Sequence, residues 1–372
     1  MLNTTNRKLT SAFAHIAASV AAVAITLCAA QPAFALSAAV TILPLVGGNP
    51  GALKMYEYIP TSVLGPNVLR PVVVVLHGCL QTAADFDDET GWTALADTAK
   101  VSLVFAEQQV ANNSNKCFNW FEPGDIERAG GEAESIRNMV STFKTNHNAI
   151  ADTANSVYVS GFSAGGAMAM VMLATYPEVF KAGAVNSGLP YKCAKAPAVV
   201  FPAVPQTPAA MASACMSGTI NNTPATWKTL ADSGCGVPAN GACAAALKPR
   251  LISFQAQQDG TVNINNQNEI MEQWTQYSTV SQTPAFTDTV PNGAGKPLYP
   301  RKYYGNRSST PPVMTVTLTA TLAQILAGTA PGHALSTDPA PAAFPCGTVA
   351  GGTYVKDYDM CTTYWTLKFW GY

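Results

Sequence analysis

The run Ser156-Val157-Tyr158-Val159-Ser160, followed at once by Gly161-Phe162-Ser163-Ala164-Gly165-Gly166, constrains this chain more than any other feature. A short run of β-branched and aromatic residues reads as a strand. Behind the serine, Ala167 to Ala174 is apolar throughout and rich in helix formers, and Pro177 ends it. A strand that turns directly into a helix forces the residue at the turn into a strained backbone, and only small neighbours let other chain pass close to it. Gly161 and Gly165 stand two positions either side of Ser163. The pattern is that of a serine presented as a nucleophile at the carboxyl edge of a sheet. A five-residue G-x-S-x-G match arises by chance in an ordinary turn; the strand before it and the helix after it set this one apart.

The rest of the chain repeats the alternation. Pro71 to Leu76 is a continuous β-branched run of the kind buried on both faces of a parallel sheet, and His77-Gly78-Cys79 follows its end. A helix over Asp87 to Lys100, a strand over Val101 to Phe105 and an amphipathic helix over Gly130 to His147 lead to the serine strand. Further strands are expected at Ala182 to Gly188, Arg250 to Phe254 and Val313 to Leu318, with helices at Asn265 to Thr279 and Tyr358 to Phe369. Strands alternating with helices select an α/β architecture with a mostly parallel central sheet and helices on both faces. From Tyr191 to Lys248 the periodicity weakens while Pro, Ala and Cys accumulate, so 191–248 reads as an irregular, disulfide-stapled insertion forming one wall of the site.

Residues 1–35 read as an export signal: Arg7 and Lys8, an apolar stretch from Ala12 to Ala30, then Ala33-Phe34-Ala35 as a small-residue cleavage pattern. His15 and Ser19 interrupt the stretch, which argues against a membrane anchor, and Leu27 before Cys28 argues against lipidation. The expectation is a secreted protein, extracellular or periplasmic, with 36–372 as a single catalytic domain. Two of the 21 Lys and Arg and none of the 22 Asp and Glu fall in the leader, leaving a formal charge of −3, which speaks against nucleic acid or anionic membrane as partners. A monomer acting on a neutral substrate fits this balance.

Eight of the nine cysteines lie beyond the leader, an even set in a chain bound for an oxidising compartment. Eight cysteines allow 105 connectivities. Proximity favours Cys235 with Cys243 and Cys346 with Cys361, and Cys79 with Cys117 and Cys193 with Cys215 complete the set. The absence of any C-x-x-C pair and the spacing of His77, His147 and His333 argue against zinc, and no metal or cofactor is expected.

A serine needs a histidine to accept its proton and an acid to orient that histidine. His147, in Asn146-His147-Asn148, reads as a solvated surface residue, and His77 belongs to the loop upstream of the serine that contributes an oxyanion hole. His333, in Pro331-Gly332-His333-Ala334 after the last strand, is the expected base. Asp259, just past Arg250 to Phe254, is the expected acid, giving the order Ser163, Asp259, His333; Asp288 and Asp338 are the substitutes, and a plain Asp-Gly turn is the alternative for Asp259-Gly260. The oxyanion hole should use the N–H of Ala164 and a second N–H from Gly78-Cys79. Cys79 as a nucleophile paired with His77 would leave the serine turn unexplained, and an oxidised cysteine is inert.

With these residues in place the chain resembles the polyhydroxybutyrate depolymerase family of secreted esterases, which also holds feruloyl and acetylxylan esterases. The resemblance is carried by Leu76-His77-Gly78-Cys79, Gly91-Trp92, Cys117-Phe118-Asn119-Trp120-Phe121, Gly130-Gly131-Glu132, Gly161 to Gly166 and Gly188-Leu189-Pro190-Tyr191. It implies an α/β-hydrolase fold in its unpermuted form, Ser163, Asp259 and His333 as the triad, Cys79 in the oxyanion hole and Trp120 as an aromatic wall for the acyl chain; His77 and Tyr191 join Trp120 as expected substrate-lining residues. Gln255-Ala256 departs from the glycine usual before the acid. No polymer-binding module follows before Tyr372, so amorphous polyester or oligomers are expected to be preferred over dense crystals. The expected reaction is hydrolysis of short-chain hydroxyalkanoate polyesters or oligomers. The alternatives are a feruloyl or acetylxylan esterase with the same triad and a non-enzymatic binder on this fold.

Overall fold

The strand-forming runs assemble into one sheet whose centre is apolar on both faces. The computed structural model describes residues 45–60, 68–152, 156–195, 207–236, 248–306, 310–339, 342–348 and 352–372. The chain divides into compact units at Met1–Ala33 and Phe34–Tyr372; the first, with the expected leader, lies outside the described residues.

The described elements in chain order are β1 (Lys54–Tyr58), β2 (Val72–Leu76), α1 (Ala83–Thr90), α2 (Trp92–Ala99), β3 (Ser102–Glu107), α3 (Gly131–Asn146), β4 (Val157–Phe162), α4 (Ala164–Thr175) and β5 (Ala182–Asn186). Then follow α5 (Pro208–Met216), α6 (Pro224–Asp232), β6 (Arg250–Ala256), α7 (Asn265–Tyr277), β7 (Phe286–Thr289), β8 (Pro300–Tyr304), β9 (Val313–Leu318), α8 (Leu322–Ala327), β10 (Leu335–Thr337), β11 (Val355–Asp357) and α9 (Thr362–Trp370). Nine strands form a sheet in the order β1-β3-β2-β4-β5-β6-β9-β8-β7, parallel from β3 through β9 and antiparallel at both edges. Parallel strands need crossovers, and the helices of those crossovers cover both faces. Val72, Val74 and Leu76 accordingly point into one core with α3, α4 and α7, and Val73 and Val75 into the other with α1, α2 and α9.

Several expectations change in detail. The helix expected over 87–100 is two helices, because Gly91 adopts φ 70 and its N–H closes α1 on Asp87 O; a β-carbon there would lie 2.6 Å from Gly347 N. The insertion is more regular than expected, since Thr207-Pro208 and Thr223-Pro224 each place a capping hydroxyl before a proline at the first helical position. Asp288, one of the substitutes for the acid, lies in β7 directly across from Arg301 of β8, and the two form a bidentate pair at 2.8 and 2.8 Å. Disulfides join Cys79 to Cys117, Cys193 to Cys215 and Cys346 to Cys361. The fourth expected pair includes Cys243, which lies outside the described residues.

Candidate active site

Ser163 stands between β4 and α4 at φ 54 and ψ −119, a conformation that a residue bearing a β-carbon rarely adopts. The flanking glycines are demanded by contact. A β-carbon at Gly161 would lie 2.0 Å from Gly165 O, and one at Gly165 would lie 2.3 Å from Leu76 O. The turn is gripped from β5 as well, since Ser163 N donates to Asn186 O (2.8 Å) and Asn186 Nδ2 donates to Gly161 O (3.0 Å).

At the carboxyl ends of β6 and β9 the structure brings Asp259 and His333 to the serine. His333 Nε2 lies 2.9 Å from Ser163 Oγ, and His333 Nδ1 lies 2.8 Å from Asp259 Oδ2. With Nδ1–H donated to the carboxylate, Nε2 is free to accept the serine proton. Asp259 is buried and fully bonded: its Oδ1 accepts from Thr261 N (2.9 Å) and Val262 N (2.8 Å), and its Oδ2 also accepts from Gln255 Nε2 (2.9 Å). Burial pulls this carboxyl upward, but the His333 hydrogen bond and charge, with the two backbone N–H groups, hold it below the usual carboxylate range. The glutamine that departs from the family pattern is thus an anchor, because Gln255 Nε2 also donates to Val262 O (2.8 Å) and closes the acid loop on itself.

The loop after β2 is fixed from beneath. Gly78 N donates to Gln81 Oε1 and Leu80 N to Asn115 O, and the disulfide ties Cys79 to Cys117. Gln108 N donates to His77 Nε2 (3.1 Å), which puts the ring proton on Nδ1, 2.6 Å from Gly78 O. Burial lowers the His77 pKa to about 4, so the ring is neutral. Gln108 Nε2 donates to Cys117 O (3.1 Å) and to Glu132 Oε1, while Glu132 Oε2 accepts from Asn119 N (2.8 Å). Burial, with Asp125 adding to it, raises Glu132 to about 8.

The expected lining residues fare differently. His77 is buried with both ring nitrogens occupied, so it braces the loop and presents neither nitrogen to a ligand. Tyr191 is buried too, with its hydroxyl donated to Ile126 O (3.1 Å) and its backbone exchanging hydrogen bonds with Gln273; its place is in the core. Trp120 packs edge-on to Phe121 at 5.4 Å with only a sliver of surface exposed. His147 is not simply solvated, since its Nε2 lies 2.8 Å from Glu57 Oε2 and its ring rests on Phe143. Asp338 is bonded to Lys296 (3.1 Å), and neither it nor Asp288 touches His333. A cavity of about 360 Å³, bounded by Ile252, Arg301, Met314 and Trp365, includes none of Ser163, Asp259 and His333. Asn186, Gln255, Gln108 and Glu132 are the residues sequence reasoning passed over; a polar side chain ending an otherwise apolar strand, as at Asn186 and Gln255, was the signal available.

The parallel sheet and the serine turn define an α/β-hydrolase, and the fold is that of an acetyl xylan esterase from Aspergillus awamori, with a TM-score of 0.59 at 23% identity over 74% of this chain and 91% of that one. The model of the esterase PHB depolymerase family matches residues 56–208. Poly(3-hydroxyalkanoate) depolymerase C of Paucimonas lemoignei is 41% identical over 333 residues, 90% of this chain and 70% of that protein. Feruloyl esterase B of Talaromyces stipitatus is 28% identical over 71% of this chain and 68% of its own length, and an acetylxylan esterase of Coprinopsis cinerea is 30% identical over 72% and 65%. The chain belongs to the polyhydroxybutyrate depolymerase family of esterases and is a carboxylic ester hydrolase. No helix among the described residues is long and apolar enough to cross a membrane.

Proposed function

We propose that this protein is a secreted, monomeric serine esterase that hydrolyses poly(3-hydroxybutyrate) or related short-chain hydroxyalkanoate polyesters and oligomers through an acyl-enzyme on Ser163. The hydrogen-bonded chain Ser163–His333–Asp259 carries the reading. His333 Nε2 takes the Ser163 proton as the oxygen attacks the ester carbonyl, and Asp259 holds the ring in the tautomer that can do so. The N–H of Ala164, at the first turn of α4, and the N–H of Cys79 receive the charge on the carbonyl oxygen. Protonated His333 then gives its proton to the departing alcohol. Water, activated by the same imidazole, releases the acid and frees Ser163.

The polyester reading rests on the 41% identity to a poly(3-hydroxyalkanoate) depolymerase, against 28 and 30% to the feruloyl and acetylxylan esterases above. Export fits the three disulfides among the described residues and the leader-like residues 1–35. A serine-directed fluorophosphonate should label the protein and fail to label Ser163→Ala; labelling of that variant removes Ser163 from the mechanism. Release of 3-hydroxybutyrate from polymer, compared with ferulate and acetate from their carbohydrate esters, decides the substrate. Faster release of ferulate or acetate would replace the polyester reading.

A further inference from the structure

At the antiparallel edge of the sheet, register alone gathers an apolar floor with one ion pair set in it. β6, β9, β8 and β7 bring Ile252, Met314, Tyr303 and Phe286 into one row, each the direct partner of the next, and the neighbouring row runs Val316, Arg301, Asp288. Side chains two apart on a strand share a face, so both rows point the same way, into the core shared with α9. From α9 come Trp365, Lys368 and Phe369, at the i, i+3, i+4 spacing of one helix face. Between helix and sheet lies the cavity of about 360 Å³. Sites for small molecules run from about 300 to 1,000 Å³, apolar for the most part with a few placed polar groups.

The polar groups of this cavity are fixed in advance of any ligand. Arg301 Nε and Nη2 donate to the two oxygens of Asp288, and the Tyr303 hydroxyl donates to Asp288 Oδ2 (3.1 Å). The guanidinium carbon lies 5.2 Å from the centre of the Tyr303 ring and 5.5 Å from that of Trp365. Asp288 thus takes one edge of the fork and leaves Nη1 for another acceptor. Arg301 and Asp288 cancel in charge. Lys368, an exposed residue bordering the cavity, rests over the Tyr364 ring at 5.4 Å and has no carboxylate partner among the described residues. One positive charge is therefore left over beside an aromatic-walled apolar space. An anion with an apolar body complements it, whereas a cation is repelled and a wholly apolar guest strips water from Arg301 without replacing its hydrogen bonds.

We infer that this cavity is a second ligand site, separate from the triad, that binds short aliphatic carboxylates, the chain among Ile252, Met314 and Phe286 and the carboxylate at Arg301 and Lys368. Carboxylic acids are what an ester hydrolase releases, so the site takes the product class of the enzyme's own reaction, whichever ester is cleaved. Octanoate is titrated calorimetrically into the full chain before and after reaction with a serine-directed fluorophosphonate. One saturable site of unchanged affinity is expected in both, with affinity rising about threefold per methylene from butyrate to octanoate as apolar surface is buried. Octan-1-ol, which has the same tail and no charge, should bind about tenfold more weakly or worse. Lys368→Glu, a change at an exposed position, should weaken octanoate about tenfold as a surface attraction becomes a repulsion, with turnover of p-nitrophenyl butyrate within about twofold of wild type. The absence of saturable binding overturns the inference, as does binding that the fluorophosphonate removes, which would assign it to the catalytic cleft. Octan-1-ol binding as tightly as octanoate, or octanoate binding unchanged in Lys368→Glu, likewise rules out a carboxylate site here.

Discussion

The two loops that flank Ser163 treat buried ionisable groups in opposite ways. Around Asp259, four donors converge on one carboxylate and keep it charged despite burial. Beneath Gly78-Cys79, His77 and Glu132 are equally buried, yet burial prevails and both are neutral near pH 7, the histidine falling to about 4 and the glutamate rising to about 8. Charge survives in the one place where an imidazolium forms during the proposed reaction. The other loop has only to present N–H groups, and neutral hydrogen bonds fix it without a field that would compete with the oxyanion.

Breaking the charged loop should produce the largest effects. His333→Ala removes the proton acceptor, and ester turnover should drop by about 10⁶ in kcat with the fold retained. Asp259→Asn preserves the shape of the loop but offers the imidazole the wrong partner, so kcat should drop by about 10⁴, measured on a soluble ester beside a thermal unfolding curve. A loss below tenfold in either would show that proton transfer runs elsewhere. On the neutral side, Cys79→Ser with Cys117→Ser cuts the tether of one proposed oxyanion donor. The loss should approach but not exceed the roughly 10²-fold typical of removing such a donor.

The smallest effect tests the electrostatic contrast itself. Glu132 in the unfolded chain ionises near the ordinary 4.5 and in the fold only near 8, so its stabilising effect is complete below about 4.5 and is lost as pH rises towards 8. Urea midpoints of wild type should therefore decline between pH 5 and about 8 more than those of Glu132→Gln, which has no proton to lose. His77 has the opposite sign, resisting a proton that the unfolded chain accepts, and its contribution disappears as pH falls from about 6.5 towards 4. Parallel pH curves for wild type and Glu132→Gln would mean that this carboxyl is charged in the fold.

The centre of the molecule was legible in the sequence because it is built from one kind of information. β2 and β9 are runs rich in β-branched residues, β4 is buried along its whole length, and the glycines two positions from Ser163 stand where a β-carbon would meet backbone. Elimination among the three histidines that follow the expected leader, together with chain order, brought out His333 and Asp259, whose contact the structure supplies. The edges were harder to read. β7 and β8 carry Asp288, Arg301 and Lys302 in short runs whose strand character depends on pairing with each other. Glu132 and Gln108 escaped because their signal is tertiary, the two lying 24 positions apart, whereas Asn186 and Gln255 offered only a polar side chain at the end of an apolar strand, which does not say what it will bind. His77 and Tyr191 were read as lining because motif position says where a residue lies in the chain and not which way it faces.

The glycine at 165 leaves the serine turn no room to evolve. Its missing side chain is space occupied by the carbonyls of Leu76 and His77, the strand that leads into the oxyanion loop. Nucleophile and oxyanion support are therefore one mechanical joint, and neither can drift without dislodging the other.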